Sequence, residues 1–395
     1  TARLAQRGVF PAGTGLGDPP RHHDLRSGLR VHFDSRVHTV APRAFRKCGE
    51  LVAVAWARSP HRGRSVPSAA VLWAVVRKLE RYEPSLATVV LKAARPPHPG
   101  VVGHHAFARC PQLAEVALPE SLGRIEANAF ASCAALTSLQ LPDTLTHIGD
   151  GAFAGCSGLT LVQLPRDLVQ IGESAFAGCC QLTAVQLPGT LVALGASAFE
   201  GCTALRSVGF PPGLRAIGPA AFRRCGVTAV ALPPGLGSVP ANVFEECVHL
   251  TRLVLPASLT HIQRGAFVGC AMLTQVDLPD GLAYVGAFAF AECTRLTRAG
   301  LPGSITHLGE RAFFKCGALR RVDLPTRLIY IGRQCLGMCP NLEVVTMPRR
   351  QMSRLAPHFQ FACEVRAVEA GESLGMPPSE LPLMQSCVPL GGCAP

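Results

Sequence analysis

Lysine is nearly missing from this 395-residue chain: Lys47, Lys78, Lys92 and Lys315 are the only four, so almost all of its 38 basic side chains are arginine. We read that as a compositional bias without mechanistic weight. Asn-x-Ser/Thr sequons are absent, which favours an intracellular location over a glycosylated, secreted one. No signal-peptide core is visible, and no apolar run reaches the ~20 residues that a membrane-spanning helix needs. The chain opens on Thr1 rather than Met, so a cell-surface location stays open if a signal precedes it.

Catalytic patterns are missing too. The sequence holds no Gly-x-x-x-x-Gly-Lys, no Gly-x-Ser-x-Gly and no His-Glu-x-x-His, and its carboxylates scatter without pairing. His22-His23 and His104-His105 are adjacent pairs without spaced partners, and Cys335 and Cys339 lack two further ligands for zinc. These absences predict a protein that is not an enzyme, takes no cofactor or metal and has no small-molecule substrate.

What is present is a repeat. Cys110, Cys133, Cys156, Cys179, Cys202 and Cys225 follow one another at 23-residue steps, then Cys247, Cys270, Cys293, Cys316 and Cys339; only the step from Cys225 to Cys247 is shorter, at 22. A phenylalanine stands three residues before each cysteine from Phe107 to Phe313. A fixed period of this length specifies a solenoid, in which each repeat buries its apolar edge against its neighbours. In the copy Leu136–Cys156, Leu139-Gln140-Leu141 alternates as a short strand and Pro142 ends it. Leu145–Ile148 predicts a second, shorter extended piece, Gly149 a backbone conformation that other residues avoid, and Asp150–Phe153 a polar cap with one helical turn.

The pattern Leu-x-x-Val/Leu-x-Leu-Pro-x-x-Leu-x-x-Ile-Gly-x-x-Ala-Phe-x-x-Cys resembles the BspA-type leucine-rich repeat over residues 101–348. Local departures are Gly226-Val227, one residue short, Cys335-Leu336 in place of Ala-Phe, and Phe210 in place of a strand leucine. The resemblance implies a right-handed, β-rich leucine-rich-repeat solenoid with two short strands and about one helical turn per repeat. It also implies a surface adhesin or protein-interaction module, with no catalytic residue in the motif.

The expected organisation is a disordered or loose lead-in over 1–28, a degenerate outlying repeat over 29–54, and a basic helical insertion or cap over 55–100. The solenoid follows over 101–348, then a C-terminal closure over 349–370 and a disordered Pro/Gly-rich tail over 371–395. In the insertion, Ser68 reads as the N-cap of a helix over Ala69–Tyr82 and Leu86–Ala94 as a second short helix. In the closure, Phe359, Phe361, Cys363, Val365 and Val368 alternate as a last strand. Seventeen cysteines raise the question of disulfides. Those at the repeat position read instead as small buried apolar residues, with parallel side-chain vectors ill-suited to bridging. Cys387 and Cys393, in the tail, are the better candidates for oxidation.

Net charge is +12, and residues 1–100 hold most of it, with 17 Lys+Arg against 6 Asp+Glu. That segment suggests association with nucleic acid or an acidic membrane, although its few aromatics make nucleic acid unlikely. The leading expectation is a scaffold that binds a protein partner through the open sheet face, at Arg252, Gln275, Asp277, Arg298, Arg321 and Asp323. The bland alternative is a solvated face whose charges pair across rungs. A second stripe, His261, Tyr284, His307 and Tyr330, is the secondary candidate, with side-by-side stacking for stability as its own bland alternative.

Overall fold

The computed structural model describes residues 29–33, 39–40, 43, 45–47, 51–56, 87–88, 100–351 and 364–368. The lead-in, the helix expected over Ala69–Tyr82, and the tail with Cys387 and Cys393 lie outside them. Contacts divide the chain into two compact units, Thr1–Val227 and Thr228–Pro395. The division falls where the repeat is one residue short.

Each repeat supplies one strand to each of two parallel sheets. In Thr1–Val227 the longer strands form an eight-stranded sheet running from Ser207–Gly209 through Ala184–Gln186, Leu161–Gln163, Ser138–Gln140, Glu115–Ala117, Leu51–Trp56 and Leu29–Phe33 to Ala87–Thr88. The shorter strands form a seven-stranded sheet from Ala216–Ile217 to Thr39–Val40. Register follows the sequence period: Leu161, Val162 and Gln163 pair with Ser138, Leu139 and Gln140. Leu139 is buried while Ser138 and Gln140 are exposed, so the expected alternation holds with the strand set one residue earlier. Ala87–Thr88 pairs with Leu29–Arg30 at the sheet edge, which corrects the helix expected over Leu86–Ala94 at those two residues.

In Thr228–Pro395 the longer strands fall into a pair, Ala229–Ala231 with Arg252–Val254, and a five-stranded sheet from Gln275–Asp277 to Glu364–Val368. The shorter strands, Ser238–Val239 to Tyr330–Ile331, form another five-stranded sheet. Val365 pairs with Val345 and Val368 with Pro348, so Glu364–Val368 adds a further parallel strand.

The third side of each rung is not helical. Gly151, Phe153 and Gly155 donate their N–H groups to Glu173, Ala175 and Ala177 of the next rung, at 2.7, 2.8 and 2.7 Å. The alternate N–H groups of Ala152, Ala154 and Cys156 close tight turns on Gly149, Gly151 and Phe153. A helix would use every N–H within its own segment; here every second one is committed to a neighbour. Positive φ at Gly151 (60°) and Gly155 (71°) sets up that alternation.

Phe45, Phe107, Phe130, Phe153, Phe176, Phe199 and Phe222 stack in one column, with ring centroids 5.0–5.5 Å apart. Phe244, Phe267, Phe290 and Phe313 repeat this in the second unit. Beside the rings, no thiol is in a disulfide among the described residues, and the repeat thiols act as donors. Cys156 Sγ gives its hydrogen to the Phe130 carbonyl of the preceding rung at 3.2 Å, while that same carbonyl accepts the Cys133 N–H at 3.3 Å. Cys133, Cys179, Cys202, Cys270, Cys293 and Cys316 do likewise. The repeat cysteine is therefore small, buried and hydrogen-bonding, not merely apolar.

Gly149 is needed for a different reason from the one expected, since its φ is not among the positive ones. Glycine follows most of the short strands, Glu126, Pro240 and Gln263 being exceptions, and where the previous rung also has glycine it stands directly against that backbone: a Cβ on Gly195 would lie 2.4 Å from the Gly172 carbonyl. Gly195→Ala is expected to lower stability by about 1–3 kcal/mol. Gly189→Ala, whose Cβ would meet nothing within 4 Å, is expected to be near neutral. Urea unfolding of the two variants beside the parent checks this, and equal midpoints would show that the rungs separate without cost.

Candidate functional site

Alternation along each long strand turns one residue in and the next out, so outward positions form columns across the rungs. In Thr228–Pro395 these columns carry the charged residues. Arg252, Gln275, Asp277 and Arg298 are exposed, while Arg321 and Asp323 are half-buried. Arg252 lies on the separate two-stranded sheet, so the six expected residues do not share one sheet.

Arg321 and Asp323 are already engaged. Arg321 Nε donates to Asp323 Oδ1 at 2.9 Å, and the Thr346 hydroxyl donates to the same oxygen. Charge pairing among the six thus runs along a strand, while Arg320, next to Arg321, pairs across rungs with Glu343 at 2.9 Å. Thr346, in register with Asp323, is buried, and its hydroxyl is satisfied by that carboxylate. Arg298 sits in register beside Arg321, a placement of like charges that is unfavourable on a bare sheet. Arg252, Asp277 and Arg298 make no ion pair or side-chain hydrogen bond among the described residues. Gly300, in register with Asp277, leaves open space where a side chain would stand.

The second stripe is assembled as the spacing implies. His261, Tyr284, His307 and Tyr330 lie on consecutive rungs with ring centroids 5.8, 6.1 and 6.1 Å apart and tilts of 31–38°. Tyr284 and Tyr330 are 38% and 53% exposed, so a face of each ring remains available beyond the stack.

A threonine before each histidine fixes its tautomer. The Thr260 hydroxyl donates to the Gly237 carbonyl at 3.0 Å and lies 2.8 Å from His261 Nδ1. Its one hydrogen is used, so Nδ1 must donate and the neutral ring presents Nε2 as an acceptor. Thr306 and His307 repeat the arrangement in this unit, and Thr146 and His147 do so in Thr1–Val227. The recurring Thr-His dipeptide is the sequence signal for it. Tyr284 separates His261 from His307 by a full rung, too far for one ion, and no group of three metal-ligating side chains converges among the described residues.

Comparison with known proteins comes back to the repeat. The model of the BspA type leucine-rich repeat region matches residues 96–183, 169–274 and 237–365, in six copies. A leucine-rich repeat protein from Bacteroides ovatus is 23% identical, with a TM-score of 0.56, over 86% of this chain and 92% of that one. A leucine rich cell surface protein from Faecalibacterium prausnitzii is 25% identical, with a TM-score of 0.46, over 63% of this chain and 76% of that one. A leucine rich repeat protein from T. pallidum is 32% identical, with a TM-score of 0.40, over 44% and 85%. No curated protein matches the chain.

Proposed function

Since the chain belongs to the BspA-type leucine-rich repeat family, we propose that it is a non-enzymatic scaffold that binds a protein partner through the long-strand sheet of Thr228–Pro395. The observation that carries this reading is Arg298: exposed, without an ion pair or side-chain hydrogen bond among the described residues, and held in register against a second arginine. Asp323 counters Arg321 but not Arg298, which like Arg252 and Asp277 makes no ion pair among the described residues. A planar guanidinium matches a carboxylate in two hydrogen bonds, so the complementary partner presents an acidic side chain there. Asp277 and the open position at Gly300 give the contact polarity and room.

Affinity capture from the native source with the full chain tests it. Arg298→Ala is expected to release specific prey that the parent retains, with affinity for the purified partner falling by about tenfold or more. Arg166→Ala, an exposed arginine of the other unit, should leave capture unchanged. Equal capture by all three proteins would retire the face and turn attention to the His261–Tyr330 stripe. The family also motivates a second reading, a cell-surface adhesin, which differs in where the same face is displayed. Protease treatment of intact cells separates the two, since only a displayed chain is cleaved.

A further inference from the structure

We propose that the turn side of the first rungs in Thr1–Val227 is a binding site for a tetrahedral oxyanion, a phosphate or sulfate ester, held by Arg46, His105, Arg109, Asn128 and Ser132. These residues line an open cleft of about 320 Å³ whose far end is floored by Gly155.

The cleft arises from a taper in the sequence. Every rung has two positions of positive φ on this side, four residues apart. Along successive rungs they are occupied by Arg43 and Lys47, then His105 and Arg109, then Asn128 and Ser132, and finally Gly151 and Gly155. Side chains shrink from long cations to glycine in four steps; Arg46, between Arg43 and Lys47, lines the cleft with His105 and Arg109, and Gly155 leaves a bare floor. Gly155 lies directly beyond Ser132, whose Oγ would be 3.4 Å from a Cβ placed there.

The wall is held in a backbone conformation that favours glycine. Arg43, Lys47, His105 and Arg109 adopt φ of 61°, 62°, 54° and 60°, a conformation that later rungs take with glycine at Gly151, Gly155, Gly178 and Gly201 and with larger residues at Phe288, Arg311 and Lys315. The cations are also uncompensated. Arg43, Arg46, Lys47 and Arg109 have no ion pair among the described residues. Glu126, on the neighbouring turn, is taken by His104 at 3.3 Å and Arg124 at 3.6 Å. Asp150 accepts the Glu173 N–H.

Recognition falls to side chains, because the backbone N–H groups of His105, Arg109, Asn128 and Ser132 are all used between rungs. Arg46 and Arg109 offer planar forks suited to an oxyanion, with the Asn128 amide and Ser132 hydroxyl as further donors. His105 reports the field: burial lowers its pKa first, and Arg46, Arg43, His104 and Arg109 lower it further. An anion in the cleft would oppose the cationic part of that effect.

The experiment is a titration of the full chain, with labelled histidines, with inorganic phosphate and separately with inorganic sulfate, against sodium chloride at matched ionic strength. Either oxyanion is expected to raise the His105 titration midpoint by about one pH unit relative to chloride. Binding of both points to generic oxyanion recognition, and of phosphate alone to a phosphate ester. Arg46→Gln should weaken binding by about tenfold. Arg109→Gly should weaken it similarly while leaving the unfolding midpoint unchanged or higher, because glycine relieves the strained φ. Identical His105 shifts in chloride and in both oxyanions would overturn the site. So would unchanged affinity in the folded Arg109→Gly variant.

Discussion

Phe176→Ala is expected to lower the unfolding free energy of the Thr1–Val227 unit by about 3–5 kcal/mol. The ring is fully buried and stacks on Phe153 and Phe199 at 5.3 and 5.2 Å. Alanine there removes one ring and also strips a face from each of the two that remain. The cavity cannot close by collapse, because the inter-rung N–H···O bonds on three sides hold the rung spacing: Phe176 itself donates to Ala198 at 2.8 Å. Solenoid stability is approximately a sum of repeat and nearest-neighbour terms, so a break in mid-column also weakens cooperation between the rungs on either side. Urea unfolding should show both a lower midpoint and a broader transition. Leu161→Ala, at a side chain 51% exposed on the sheet face, should change neither. A loss below about 1 kcal/mol at Phe176 would mean that the column is loosely packed and that the sheets carry the fold.

The parts of this fold legible in the sequence are those repeated at the period itself. The apolar positions of Leu139, Ile148, Phe153 and Cys156 recur every rung, and an apolar position that recurs must stack on its own copy; burial and register both follow. What was not legible depends on backbone atoms of the neighbouring rung. Asp150–Phe153 has the composition of a capped helical turn, yet the next rung takes every second N–H and leaves a string of tight turns. Gly149 and Gly195 look like conformational glycines, whereas close backbone approach is what excludes a side chain. Cysteine reads as a small core residue, and only the carbonyl of the preceding phenylalanine shows why a thiol hydrogen is useful there.

The candidate site divides along the same line. Which residues point outward at Arg252, Gln275, Asp277 and Arg298 follows from period two. Their pairing does not: Arg321 with Asp323 is a contact within one strand, and the Thr346 hydroxyl completes it from a buried position that the column alone would have left in solvent. The basic wall of the oxyanion cleft was hidden for a related reason. Arg43, Lys47, His105 and Arg109 stand at equivalent places of the repeat, two residues before the phenylalanine and one before the cysteine, but only the turn geometry gives both places positive φ and opens a cleft beside Arg46.

Stability is expected to fall steeply between about pH 9 and pH 11, and the thiol column is the cause. Burial pushes Cys293 and Cys335 up to about 12 from an ordinary value of 9.0. Cys270 and Cys316 are raised well above it, first by burial and then by neighbouring cysteines; Cys156 is raised first by its hydrogen bond with Cys133 and then by burial. A thiol that stays protonated in the native state but ionises when unfolded contributes its full stabilisation below pH 9 and loses it as pH climbs towards the native value. Each such thiol removes about 1.4 kcal/mol per pH unit over that range, so Cys293 alone accounts for about 3 kcal/mol by pH 11. Few other groups compete in this window, since the chain has only four lysines and three tyrosines. The measurement is the urea midpoint under reducing conditions at several pH values from about 8 to 11. Cys293→Ser keeps a hydrogen for the Phe267 carbonyl, which Cys293 Sγ meets at 3.4 Å, and has nothing to ionise. It should be somewhat less stable at pH 8, yet lose stability more slowly above pH 9. A parent midpoint flat to pH 10.5, or a variant with an unchanged slope, would show that the column opens to solvent before its thiols titrate.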